Sequence, residues 1–115
     1  MNDIKKIEHL SNILRKHILN TALAAGASSS HFGGSLSTVE IIATLFGKVM
    51  NFNKKIINKT ERDRFILSKG HAAPILYAVF EELGWISSEE LENTLRKLNS
   101  RLQGHPDKNI LEYLD

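Results

Sequence analysis

From residue 3 to residue 25 apolar positions recur at three- and four-residue steps: Ile4, Ile7, Leu10, Leu14, Ile18, Thr21 and Ala25. That spacing lays one apolar stripe along a helix, with Asp3 as the expected cap and Gly26 as the expected stop. The period then breaks. Ala27 to Ser37 is serine-rich, contains Gly33-Gly34, and carries His31 and Phe32, which is the composition of a close-approach loop. Ser37-Thr38-Val39-Glu40 fits a capping box and predicts a second helix to about Met50, burying Ile42, Leu45, Phe46 and Val49. Asn51 to Glu61 is polar and reads as a surface loop, with Ile56-Ile57 expected to pin it.

Arg64-Phe65-Ile66-Leu67-Ser68 is a short apolar run between charges, followed by Lys69-Gly70. Its length and punctuation predict a buried strand. From Ala72 to Leu83 the pattern is helical and apolar on most sides, with Pro74 tolerated in the first turn and Gly84 as the stop. Trp85 reads as a packing anchor at that junction. Ser87 and Glu90 form a second capping box, opening a helix expected to bury Leu91, Leu95 and Leu98. From Gly104 onward the reading is a loop and an unanchored tail. Residues 1–115 show no linker, low-complexity tract or repeat and read as one domain.

Composition removes several classes of function. Apolar residues make up 42 % of the 115 and charged residues 24 %, which is ordinary for a globular chain. No stretch approaches the roughly 18 uninterrupted apolar residues of a membrane span, and the polar start, Met1 to Lys6, is not a secretory h-region. With no cysteine, disulfides and thiolate metal sites are excluded, and a reducing, cytoplasmic setting is permitted rather than shown. Fifteen basic residues face thirteen acidic ones and are interleaved with them, so there is no nucleic-acid footprint.

Three segments hold candidate chemistry. Ser68-Lys69-Gly70-His71 lies between the predicted strand and helix. A helix start attracts anions, Gly70 permits close backbone approach, and Lys69 and His71 add charge or donors. The alternative is a tight turn at Gly70 with His71 merely capping the helix. Ser29-Ser30-His31-Phe32-Gly33-Gly34-Ser35 places a histidine in an open loop, where it could relay a proton or stand incidentally exposed. In Gln103-Gly104-His105-Pro106-Asp107, Asp107 either orients the His105 imidazole or closes a turn. A zinc site built from His31, His71 and His105 lacks the short spacing of structural sites, so no metal ligands are assigned. His9 and His17 read as solvated surface histidines, and the basic residues at 15, 16, 96, 97 and 101 as wet helix faces.

Taken in order, Ser30-His31-Phe32-Gly33-Gly34-Ser35-Leu36-Ser37, then Arg62-Asp63-Arg64-Phe65-Ile66-Leu67-Ser68-Lys69-Gly70-His71-Ala72-Ala73-Pro74, then Gly104-His105-Pro106 resemble the N-terminal portion of transketolases. These are thiamine diphosphate enzymes, and the likeness is greatest to those made as separate N- and C-terminal subunits. Two positions depart from the family: Ser30, where glycine is usual, and Phe32, where proline or isoleucine is frequent.

The resemblance implies an α/β thiamine diphosphate-binding fold, a parallel sheet flanked by helices, incomplete and mostly helical within these residues. It gives catalytic roles to His31, near the reactive thiazolium carbon, and to His105, at the donor ketose. It places His71 on the cofactor diphosphate, with Gly70 and Lys69 beside it. The implied reaction is transfer of a two-carbon ketol unit from a ketose to an aldose in pentose phosphate carbohydrate metabolism. Its cofactors are thiamine diphosphate and magnesium, and its substrates sugar phosphates or related sugars. A C-terminal transketolase subunit or domain is the implied partner, in a homo- or hetero-oligomer. The family holds magnesium through a Gly-Asp-Gly segment that does not occur in this chain, so the expectation is the leading part of an N-terminal subunit, active only with further polypeptide. The alternative is a catalytically inactive remnant or interaction module of the same fold.

Overall fold

The computed structural model describes residues 2–26, 32–53, 55, 60–107, 111 and 114–115. Helix α1, Asp3–Ala25, follows the predicted stripe, with Ser11, Leu14, Ile18 and Thr21 buried along it. Its N-terminal end is less covered, and Ile4 is 70 % exposed. The cap is Asn2, one residue ahead of the expected Asp3: its side-chain oxygen accepts the Lys5 amide at 2.9 Å. Gly26 ends the helix at φ +84°, a conformation that glycine adopts without steric cost.

α2, Phe32–Leu36, and α3, Val39–Thr44, are short. The expected capping box at 37–40 does not form, because its hydroxyls serve the end of α2 instead. Ser37 Oγ donates to the Gly34 carbonyl and Thr38 Oγ1 to the Ser35 carbonyl, at 3.0 and 2.9 Å. Glu40 turns outward to Arg15. α3 continues into a π-turn, Leu45–Val49, closed by the Met50 amide on the Leu45 carbonyl at 2.7 Å. That widening rotates Val49 into solvent, contrary to the expected burial; Ile42 is buried as anticipated.

α4, Ala73–Glu82, is the centre of the molecule, with every residue from Ala73 to Phe80 buried. α1 packs against α3, α4 and α5, and α2 against α4. Trp85 anchors the end of α4, its ring tilted against Phe52 and Phe80 at 5.5 and 5.6 Å between centroids. α5, Ser88–Thr94, starts at Ser87, whose hydroxyl accepts the Glu90 amide at 3.0 Å. Glu90 does not reach back to complete the box; its carboxylate takes Arg101. The helix stops before Leu98, which is therefore 92 % exposed, where burial was expected.

Two further expectations are corrected. Residues 64–68 form no strand, and no strand occurs among the described residues. A ladder needs a neighbouring strand to accept its amides. The Phe65 amide is instead taken by the Asp115 carboxylate at 2.9 Å, and Ile66 is 75 % exposed. The parallel sheet of the expected fold class is thus not present in the described residues, which are mostly helical. The tail is anchored rather than loose: Leu111 and Leu114 are buried, and Asp115 grips Arg62 through two hydrogen bonds of 2.9 and 2.7 Å. Ile56-Ile57, expected to pin the polar loop, lie outside the described residues. The base of that loop is closed by the Asp63 amide on the Asn51 carbonyl at 2.9 Å.

No described helix is long and apolar enough to cross a membrane.

Candidate functional site

Ser68-Lys69-Gly70-His71 sits where the chain enters the central helix. Gly70–Ala72 makes one 3-10 turn, closed by the Ala72 amide on the Lys69 carbonyl at 2.9 Å, and α4 follows without a break. Pro74 falls in the first turn, where an amide hydrogen would lack a helical partner anyway. His71 thus stands at a helix start, as its sequence position suggested.

Two other segments close on this turn. The loop holding His105 comes from the far side. A Cβ on Gly70 would lie 2.4 Å from His105 Nδ1, 3.1 Å from Cε1 and 3.2 Å from Cγ, so the imidazole fills the space a side chain there would need. The His71 and His105 rings are 6.3 Å apart between centroids, tilted by 49°, and both residues are exposed. α2 approaches from the other side. The buried Ser35 hydroxyl donates to the Ala72 carbonyl at 3.1 Å. A Cβ on Gly34 would lie 3.1 Å from both Cε and Nζ of Lys69, so the ammonium group rests over the Gly34 backbone.

The structure therefore brings together Lys69, Gly70, His71 and His105. His31 lies outside the described residues; in the chain it immediately precedes Phe32, the first residue of α2. The Asp107 carbonyl accepts the Leu111 amide at 2.9 Å. A cleft of about 300 Å³ opens beside the turn, lined by Ile66, Leu67, Ser68, Gly70, His105 and Pro106, with Leu114 and Asp115 at its end. The carboxylate there is committed: the Arg62 guanidinium holds the Asp115 carboxyl below the usual range, with the Phe65 amide adding to the effect. The same pairing pushes Arg62 upward.

Several residues that shape the site gave no motif. Tyr77 is fully buried on α4 and donates its hydroxyl to the Gln103 carbonyl at 2.6 Å, two residues before His105. A lone hydroxyl on an otherwise apolar face was the available signal, since a buried tyrosine needs a partner. Arg96, expected as a wet helix face, lies with its stem along Gly104, a Cβ on which would be 3.1 Å from Arg96 Nε. His17 is not the solvated histidine expected. Its ring lies between Glu81 and Glu82, Nδ1 at 3.3 Å and Nε2 at 3.1 Å from their carboxylates.

One ammonium, two imidazoles and a helix start make a donor set suited to an anionic phosphate group. For a cation the described residues offer less: none of their histidines and carboxylates form a group of three that could hold a metal ion.

Lys69, Gly70 and His71 thus lead into α4 with the His105 ring beside them, and comparison with known proteins gives the family. The family model described as "Transketolase, thiamine diphosphate binding domain" matches residues 8–114. The chain belongs to this family. It is 43 % identical over 103 residues to a transketolase of Homo sapiens, covering 90 % of this chain and 16 % of the relative. It is 41 % identical over 107 residues to transketolase-like protein 2 of Homo sapiens, covering 90 % and 17 %. With a transketolase of Aquifex aeolicus it shares 38 % over 104 residues, covering 90 % and 15 %. The chain thus spans about one sixth of the length of the curated relatives it matches.

Proposed function

We propose that this chain supplies the diphosphate-binding and sugar-facing histidines of a transketolase-type site, transferring a two-carbon ketol unit from a ketose to an aldose. The observation that carries this reading is the convergence of Lys69-Gly70-His71 and His105 at the start of α4, with the two rings 6.3 Å apart. Thiamine diphosphate, when bound, supplies the carbanion chemistry that side chains lack.

Each residue then has a distinct task. Lys69 contributes fixed charge and His71 a ring N–H to the diphosphate, at a helix start whose dipole favours anions. His105 turns Nδ1 toward Gly70, which leaves Nε2 on the opposite ring edge to donate to a sugar hydroxyl. His31 acts near the reacting carbon and moves protons there. Magnesium ligation and activation of the aminopyrimidine fall to other polypeptide, a C-terminal transketolase subunit or domain among it. Sugar phosphates are the substrate class of this reading, and cytoplasmic pentose phosphate metabolism is its setting.

A second reading, an inactive interaction module, draws on Leu23, Ile66 and Leu98, which are 84 %, 75 % and 92 % exposed.

Titration of the chain with millimolar inorganic diphosphate, followed by NMR, tests the anion site. The result expected is weak binding with shifts confined to Lys69, Gly70, His71 and His105, absent in His71→Ala. Shifts scattered over surface lysines, or none, would count against the reading.

A further inference from the structure

His105 does not hold its place through its own loop alone. Its ring edge is pressed onto Gly70, with Nδ1 2.4 Å from where a Cβ would stand. One residue earlier, the Arg96 stem runs along Gly104, its Nε, Cδ and Cγ lying 3.1, 3.5 and 3.7 Å from a Cβ there. Arg96 does this from a left-handed backbone, φ 60°, which side-chain-bearing residues rarely adopt. Its amide donates to the Leu102 carbonyl at 2.6 Å, tying the strained residue to the chain that leads into Gly104.

These are two contacts on one segment: Gly70 meets the His105 ring, and Arg96 packs on Gly104 next to it. We infer that Gly70 and Arg96 are positioning residues for His105, holding its imidazole beside His71. This rests on the reading of His105 as a site residue, and it assigns Gly70 a task other than close approach to phosphate. Packing for stability alone does not account for Arg96. A glycine would fit φ 60° with less strain, whereas the arginine adds a stem along Gly104.

The test is made on the ligand-free 115-residue chain with labelled histidine. NMR reads the through-space cross-peak between the His71 and His105 rings, and thermal melting runs alongside. Gly70→Ala is expected to lose the cross-peak. Arg96→Gly is expected to lose it as well, with the melting temperature unchanged or raised, because the left-handed strain is relieved. Arg96→Lys, which keeps an aliphatic stem, is expected to retain it. A cross-peak surviving in Arg96→Gly overturns the inference, even where Gly70→Ala fails to fold. So does a loss in Arg96→Gly that tracks a fall in melting temperature. Since no ligand is present, failure of the diphosphate titration would remove the functional reading and leave this result standing.

Discussion

The Tyr77 hydroxyl donates to the Gln103 carbonyl at 2.6 Å, so the buried face of α4 carries the loop that ends in His105. Tyr77→Phe takes that donor from the half-buried Gln103 residue while keeping the ring in the core. The expected cost is roughly 1–3 kcal/mol, read as a melting temperature lower by several degrees. His105 resonances should shift together with it. An unchanged melting temperature would show that the bond is replaced without cost.

Ser35→Ala removes the bond of 3.1 Å by which the fully buried serine hydroxyl ties α2 to the Ala72 carbonyl. Amide exchange should quicken over residues 32–38 while α4 keeps its protection, because helices this short depend on packing rather than propensity. Uniform loss of protection would contradict a local role.

The Arg62–Asp115 pair has side chains only 7 % and 12 % exposed. Arg62→Met removes both guanidinium bonds and leaves the Asp115 carboxylate to the Phe65 amide and to Arg64 at 3.9 Å, at an expected cost of about 1–3 kcal/mol near neutral pH. The Asp115 carboxyl is lowered in the folded state, first by its hydrogen bonds to Arg62. Its stabilising contribution is therefore present above the unfolded value and is lost as pH falls through the folded one. The gap between Arg62→Met and the parent chain should narrow in acid below the ordinary carboxylate range; a gap independent of pH would refute the linkage.

Glu81 runs the other way. Burial raises its carboxyl, and the nearby Glu92 and Glu82 charges add to this, while His17 opposes it. A raised acid favours the folded state while protonated and loses that advantage as pH climbs from its unfolded value through its folded one. Glu81→Gln should therefore raise the melting temperature at neutral pH and leave it unchanged near pH 3. A loss at neutral pH would mean that the contact with His17 outweighs desolvation.

Much of this was legible in the residues. The stripe of α1, the Pro74 entry and Gly84 exit of α4, and the Ser87 cap are local signals, and they hold. The strand at 64–68 failed because an apolar run specifies burial, while a ladder depends on partners that the run itself does not encode. Leu111, Leu114 and Asp115 looked loose because nothing local announces a long-range grip on Arg62. At the site, Lys69, Gly70 and His71 were legible as a helix-start cluster. The pressing of His105 onto Gly70 was not, since the two lie 35 positions apart in the chain and meet only through the fold.

The central claim is that these residues serve a transketolase-type site, and reconstitution tests it most directly. The chain would be combined with the remaining segments of a transketolase relative, thiamine diphosphate and magnesium, and ketol transfer from a ketose phosphate to an aldose phosphate measured. The account predicts transfer that depends on adding this chain and falls by at least about 100-fold in His71→Ala and in His105→Ala, the scale of a lost acid–base or positioning group. No transfer in any combination, or transfer indifferent to both histidines, would contradict it.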